Sequence, residues 1–146
     1  MEIRKMTISD YDAVYELWMS CKNMGFNDVD DSREGIERFL RRNPSTNFVA
    51  VDEGRIVGVI LGGHDGRRGF IHHAAVAGTH RRQGLGTRLV QACLEAMKAE
   101  QISKVALLVF KYNDDGNAFW EKQGFTVRED LNYRNMALRE LVRIDT

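Results

Sequence analysis

Val76-Ala77-Gly78-Thr79-His80-Arg81-Arg82-Gln83-Gly84-Leu85-Gly86-Thr87-Arg88-Leu89 is the stretch of this chain that decides its fold. An apolar run ends, a basic glycine-containing turn follows, and a helical pattern begins at once. The first backbone N–H groups of a helix have no intrahelical partner, and they carry the positive end of the helix dipole. Gly84 and Gly86 remove side chains that would hold a ligand away from those donors. Arg81, Arg82 and Arg88 add formal positive charge at the same place. A turn built this way binds a phosphate or a pyrophosphate.

Spacing narrows the ligand. The Walker pattern ends in Gly-Lys-Ser/Thr, whereas Gly86 is followed by Thr87-Arg88. The dinucleotide fingerprint G-x-G-x-x-G fails where its third glycine would fall, at Leu89. A nucleotide-phosphate enzyme would also need a carboxylate cluster for Mg²⁺, and no motif supplies one. What remains is R-x-x-G-x-G, formed by Arg81, Gly84 and Gly86. It resembles the pyrophosphate loop of the GNAT (Gcn5-related) N-acetyltransferases, which bind acetyl-coenzyme A (acetyl-CoA).

Composition sets the frame around that loop. The 146 residues suit one domain, which buries roughly two-thirds of the surface its unfolded chain exposes. Lysine plus arginine and aspartate plus glutamate balance at 21 each, so no global field favours nucleic acid or an anionic membrane. Cys21 and Cys93 both fall in helical patterns, which suits reduced thiols in a cytoplasm. The segment Met1–Met6 has charges where a signal peptide needs an apolar core, and no apolar run reaches membrane-spanning length. The expectation is a small cytoplasmic protein without a metal motif.

Periodicity along the chain predicts alternating strands and helices. Residues 2–6 alternate as an edge strand. Ser9 or Asp10 caps a helix with apolar positions Ala13, Val14, Leu17, Trp18 and Cys21. After a polar stretch, Asn23–Asp31, the pair Asp31 and Glu34 reads as a capping box opening a helix through Arg42. Residues 47–52 and 56–61 are strands joined by a tight turn at Glu53-Gly54. A glycine-rich turn spans 62–69, and the next strand runs from 70 to 77. The helix after Gly84 puts Leu85, Leu89, Val90, Cys93 and Met97 on one face. A buried strand follows at 104–110, then a short helix at 114–123 closed by Gly124, then two strands near 125–129 and 135–138. This order is similar to the GNAT fold over nearly the whole chain. The resemblance implies an α/β domain over residues 1–146: a mixed, mostly antiparallel sheet of six to seven strands, four helices, and a splayed parallel pair formed by strands 70–77 and 104–110.

A second family landmark is the segment N-x6-Y-x3-G-F, matched here by Asn113, Gly124 and Phe125, with Trp120 where many members carry tyrosine. By this resemblance, acetyl-CoA is the cosubstrate. Its pyrophosphate would sit on Arg81, Arg82, Gln83, Gly84, Leu85, Gly86 and Thr87; its pantetheine would lie along Val76 and Ala77, meeting Asn113 and Phe119. The backbone N–H of Val76 would face the thioester oxygen as an oxyanion donor.

The implied reaction is direct acetyl transfer to a primary amine in a ternary complex. Family members that place a catalytic glutamate on the strand matching 70–77 carry it where this chain has Phe70. The ribosomal-protein acetyltransferases carry theirs where this chain has Leu108. Arylalkylamine acetyltransferases use two histidines at positions matching 70 and 72, of which only His72 is present. A neutral imidazole accepts protons near pH 7, which leaves three routes open: His72 takes the amine's proton, a water chain does, or the substrate arrives neutral. Strand alternation puts His72 on one face with Phe70, Ala74 and Val76, and His73 on the other. Trp120 cannot act as an acid. Its indole N–H can steady the leaving thiolate, Tyr112 or Tyr133 can replace the tyrosine, or the chain is a coenzyme-binding sensor with weak turnover.

The acceptor amine is the least specified element. Phe26, Asp28, His64 and Asp65 are the candidate acceptor-binding residues, Phe26 as pocket lining or core and Asp28, with Asp30 and Asp31, as attractors of cationic amines or as turn and capping residues. Amino acids, polyamines, protein N-termini and aminoglycosides all remain compatible. The family also includes many homodimers.

Overall fold

The computed structural model describes every residue from Met1 to Thr146. In chain order its elements are β1 (Glu2–Lys5), α1 (Tyr11–Ser20), β2 (Gly25–Asn27), α2 (Arg33–Arg42), β3 (Phe48–Asp52), β4 (Arg55–His64), β5 (Gly69–Val76), α3 (Leu85–Ala99), β6 (Val105–Leu107), α4 (Asp114–Lys122) and β7 (Arg143–Asp145). Five strands form one sheet in the order β1-β3-β4-β5-β6. All its pairs are antiparallel except β5 with β6. The other two strands, β2 and β7, form a separate antiparallel ribbon. The mixed sheet, the four helices and the parallel pair are those the sequence leads one to expect; the seven strands divide five and two.

The sheet is buried on both faces. Leu85, Leu89, Val90, Cys93 and Met97 recur on one side of α3 and pack with Ile60 and Ile71 on one face. Val14, Leu17 and Trp18 of α1, with Ile36 and Leu40 of α2, cover the other face against Val49, Val59 and Leu61. Burial of these apolar stripes, at about 25 cal/mol per Å², holds the three layers together. Burial in the α3 layer also pushes the Cys93 thiol up to about 12, so it stays protonated at neutral pH.

Local caps differ from the sequence expectation in an instructive way. Asp10 precedes α1, but its carboxylate turns back to accept the Thr7 N–H at 2.9 Å and both guanidinium nitrogens of Arg4 at 2.9 Å. Arg4 holds the buried Asp10 carboxyl below the usual carboxylate range, against the opposing effect of burial, with Thr7 adding to the lowering. A depressed folded-state pKa gives stability that is full above the ordinary value near 4 and is lost as pH falls through the folded one. Asp10→Asn therefore costs about 1–2 kcal/mol at pH 7, moderated by solvent screening at the half-exposed arginine. Denaturant melts at pH 7 and pH 3 check this: the gap to wild type narrows at the lower pH, and an equal gap at both contradicts the assignment.

The cap of α2 is Ser32, whose Oγ accepts the Gly35 N–H at 3.1 Å. Asp31, expected as the cap, is committed elsewhere. The Glu53-Gly54 turn has φ of 50° and 75°, as a tight hairpin requires.

The largest departure is at the C-terminal end. Residues 125–129 and 135–138 form no strand, and the final strand is β7, paired with β2 in the stretch expected to be a polar connection. Alternation of apolar residues says which face a strand would bury, not whether a sheet edge is open to it. Here Asp28 captures the returning chain, accepting the Val142 N–H on Oδ1 at 2.7 Å and donating its own N–H to Val142 C=O at 3.0 Å. No helix is long and apolar enough to cross a membrane.

Candidate active site

The turn before α3 has the geometry of an anion cradle. The first bond of that end of the helix runs from Arg88 N–H to Gly84 C=O at 3.1 Å, so the N–H groups of Leu85, Gly86 and Thr87 have no helical acceptor. Arg82 and Gly84 adopt left-handed φ of 62° and 76°. Gly84 is required for that backbone angle alone, because a Cβ there would meet nothing within 4 Å. Gly86 has a different reason from the one expected: a Cβ there would come within 3.1 Å of the Phe119 ring, so this glycine lets α4 dock on α3. Gln123 completes the docking by donating to Thr87 Oγ1 at 2.8 Å. Arg82, Gln83 and Arg88 are exposed at the turn. Arg81 folds back and donates from Nε to Val76 C=O at 3.2 Å.

At the edge of β5 away from β4 a groove opens between residues 70–74 and the chain after β6. The parallel pairing comprises only Gly69–Val105, Phe70–Ala106 and Ile71–Leu107. The strand expected over 104–110 stops at Leu107, and beyond Ile71 the β5 edge is unpaired. Ala77 N–H bonds Val57 C=O at 2.8 Å on the β4 side, so by alternation the Val76 N–H points to the open edge. Ala77 itself is spent, its C=O accepting the His80 N–H at 2.9 Å.

A β-bulge corrects the expected facing of the two histidines. Leu61 pairs with His73 and Gly62 with Ile71, so His72 is an extra residue with no partner. The bulge reverses the alternation on its far side. Gly69 and Ile71 face α3, whereas His73 and Ala75 face α1. His72 does share a side with Phe70, its ring 4.8 Å from that ring and 5.3 Å from Phe39 of α2. It does not share one with Ala74 and Val76, which pack on the α3 layer. His73 is on the helix side as well, between Trp18 at 5.0 Å and Phe26 at 4.5 Å.

Both imidazoles border a groove of about 890 Å³ at the splayed end, lined also by Phe26, Asp30, Asp31, Phe39, Asn113 and Trp120. Crowding by protein pulls His72 below its ordinary value even though part of its ring stays exposed; the neighbouring His73 adds to the effect, while Asp31 and Asp30 oppose it. Asp31 is buried and accepts from His73 Nε2 at 2.7 Å on Oδ1 and from Asn27 N–H at 2.9 Å on Oδ2. The Trp120 ring packs edge-on against Phe119 and Phe125, at 5.0 and 5.2 Å.

Comparison with known proteins places this architecture. The model of the Acetyltransferase (GNAT) family matches residues 11–125. The chain belongs to the GNAT family. An acetyltransferase of Pectobacterium atrosepticum is 33% identical over 122 residues, covering 84% of this chain and 85% of the relative. The crystal structure of Ard1 from Thermoplasma volcanium aligns with a TM-score of 0.77 at 26% identity, covering 87% of this chain and 83% of that one. The PaiA N-acetyltransferase of Thermoplasma acidophilum, solved with coenzyme A, aligns at 0.73 and 19% identity over 87% of this chain and 90% of its own, a likeness of fold. This GNAT chain is an acetyl-CoA-dependent acetyltransferase.

Within this GNAT site, Asn113 caps α4 by accepting the Gly116 N–H at 3.0 Å, which leaves its amide nitrogen to the groove. Three of the four expected acceptor residues have structural duties. Asp28 ties down the C-terminal segment, as described. His64 accepts the Gly66 N–H on Nδ1 at 2.9 Å and meets Glu100 through Nε2 at 3.0 Å, bridging the end of β4 to the end of α3. Asp65 Oδ1 accepts the N–H groups of Arg67 and Arg68, which hold its carboxyl below the usual range and order the turn. His64 and Asp65 line a second, smaller groove of about 520 Å³ rather than the first. Phe26 is both core and lining, buried on Trp18 while bordering the groove. His73 is not among the residues the sequence singles out, and Asp31 is not the cap of α2, which is Ser32. The adjacency of His73 to His72 was visible, but its facing depends on the bulge.

Proposed function

We propose that this enzyme acetylates a primary amine, on a small molecule or at an exposed peptide position, by direct attack within the groove beside β5. The observation that carries the reading is the open β5 edge running from the free N–H groups of α3 to the two histidines. The residues present fit acetyl-CoA: Leu85, Gly86 and Thr87 offer backbone donors to a pyrophosphate, and Arg82, Gln83 and Arg88 surround it. Val76 and the Asn113 amide nitrogen border the path of an extended pantetheine arm, and Phe119 seats Gly86 beneath it. The bound cosubstrate supplies an activated acyl thioester.

The chain's own residues supply the rest. The Val76 N–H is a fixed donor toward a developing oxyanion, placed before reaction and therefore free of reorganisation cost. The groove walls hold the amine beside the acyl carbon, which alone accounts for a large part of the acceleration. His72 and His73 give the amine's proton an acceptor on the groove side. The Trp120 indole N–H makes no hydrogen bond within the protein and is not buried, so it is free to donate to a sulfur anion without transferring a proton. The groove carries Arg38, Arg42 and Arg143 against Asp30 and Asp31, a balance that favours amines of low charge over polycations.

Thiol release from acetyl-CoA across a panel of amino acids, short peptides, polyamines and aminoglycosides tests this. Turnover is expected with singly charged amines and to be at least tenfold weaker with polycations. The reverse order would refute the charge argument. Tight coenzyme binding with no turnover on any amine would replace the transferase reading with a sensor.

A further inference from the structure

We infer that His73, oriented by Asp31, is the group that takes the proton from the acceptor amine. The inference rests on the amine-acetylation reading and names its base. Asp31 lies in the turn between β2 and α2, 42 residues from His73, yet its Oδ1 meets His73 Nε2 at 2.7 Å. Both side chains are largely buried, with 7% and 12% of their surfaces exposed. Asp31 has no freedom to leave. Its Oδ2 accepts the Asn27 N–H at 2.9 Å, and its backbone C=O accepts the Tyr11 hydroxyl at 2.6 Å.

This network fixes the tautomer. An ionised carboxylate only accepts, so the proton of the neutral imidazole sits on Nε2 and the lone pair on Nδ1. Nδ1 makes no hydrogen bond, and it is not among the fully buried unpaired polar atoms, of which Trp18 Nε1 is the one instance. It therefore retains access to the groove that His73 lines. A carboxylate behind one nitrogen and an open lone pair on the other form the arrangement of a general base.

His72 lacks it. No hydrogen bond orients its ring, which is held by the faces and edges of Phe39 and Phe70. The charges around His73 come from several elements. Asp30 and Asp31 in the turn favour an imidazolium. Arg38 and Arg42 of α2, Arg143 of β7 and a protonated His72 oppose one, and Tyr11 of α1 is neutral there. The paired carboxylate at 2.7 Å is the nearest and the least screened of these.

The step balances. The amine nitrogen bonds the acyl carbon and the carbonyl π pair moves onto oxygen, facing the Val76 N–H; as the C=O re-forms the C–S bond breaks, and sulfur keeps that bond's electron pair. The amine's proton goes to His73 Nδ1. The imidazolium, held by Asp31, then returns it to the thiolate, leaving one amide, one thiol and the original imidazole.

The test combines pH–rate profiles of kcat/KM for the amine with calorimetric titration of acetyl-CoA. His73→Gln is expected to lower kcat about 100-fold or more while acetyl-CoA affinity holds, and to abolish the acid limb. Asp31→Asn keeps the shape of the pair and removes its charge; it is expected to lower kcat at least tenfold and to displace the acid limb, with acetyl-CoA affinity unchanged. His72→Gln is expected to keep the acid limb. An active wild type whose His73→Gln variant retains the limb, or whose Asp31→Asn variant keeps the wild-type kcat and limb, overturns the base alone. A wild type that acetylates no amine overturns the transferase reading and the base with it.

Discussion

Gly84→Glu is expected to abolish coenzyme A binding and to leave the chain folded. Two physical effects act at one position. Gly84 has φ of 76°, a region in which an L side chain costs about 1 kcal/mol or somewhat more. A Cβ there meets nothing within 4 Å, so the cost ends with the backbone and no core atom moves. For a domain of this size the melting temperature falls by roughly 3–5 °C. Binding suffers far more, because the new carboxylate stands at the N-terminus of α3 beside the free N–H groups of Leu85, Gly86 and Thr87. Those donors then have a negative group of their own, and a pyrophosphate meets repulsion where it found attraction. Calorimetric titration is expected to show affinity reduced at least 100-fold. Gly84→Ala separates the two effects: it pays the backbone cost without the charge, and its loss is expected to be tenfold or less. Retained micromolar affinity in Gly84→Glu would refute the phosphate cradle.

That cradle was legible because its signals are local. A glycine pair, a basic cluster and the start of a helical period lie within fourteen consecutive residues, and each acts through its own backbone. The apolar stripes of α1 and α3 were legible for the same reason, since a period of 3.6 survives whatever the stripe packs against. The parallel β5–β6 pair came with the family resemblance. What could not be read depends on pairing between distant segments. The bulge at His72 exists only because Leu61 and Gly62 pair with His73 and Ile71, and it turns His73 from the α3 layer to the acceptor side. Asp31 follows Asn-Asp-Val-Asp in the sequence and has the local form of a helix cap. Its true partners are Asn27 and His73, and Ser32 takes the cap one position later. The C-terminal strands failed for a related reason: β2 offered residues 143–145 an edge, and residues 125–138 had none. The turn expected to hold the cosubstrate thus rests on local signals, whereas the proposed acceptor half of the site depends on tertiary pairing.

Gly35→Ala is expected to damage that acceptor half while sparing the cofactor half. Gly35 sits in the first turn of α2, where alanine would ordinarily gain about 1 kcal/mol in helix propensity. Here a Cβ would lie 2.3 Å from Val29 O and 2.4 Å from Asp30 O. Those are backbone atoms in a tightly bonded turn. Asn27 Oδ1 accepts the N–H groups of Val29 and Asp30 at 2.9 and 2.7 Å, and Val29 C=O accepts the Ser32 hydroxyl at 2.7 Å. No rotamer change relieves the overlap, so either α2 or the turn must shift. Overpacking of this kind costs about 2–3 kcal/mol, which outweighs the propensity gain. The net loss is expected to lower the melting temperature by about 5 °C. A shifted turn carries Asp31 with it, lengthening the 2.7 Å contact to His73 and leaving a buried carboxylate with a weakened partner. The rate of amine acetylation is expected to fall at least tenfold, with acetyl-CoA affinity unchanged because the 27–32 turn shares no hydrogen bond with the turn before α3. Thermal melts, calorimetry and steady-state rates on one preparation decide it. A variant with wild-type stability and wild-type rate would mean that the turn yields freely, and that the acceptor side does not depend on its rigidity.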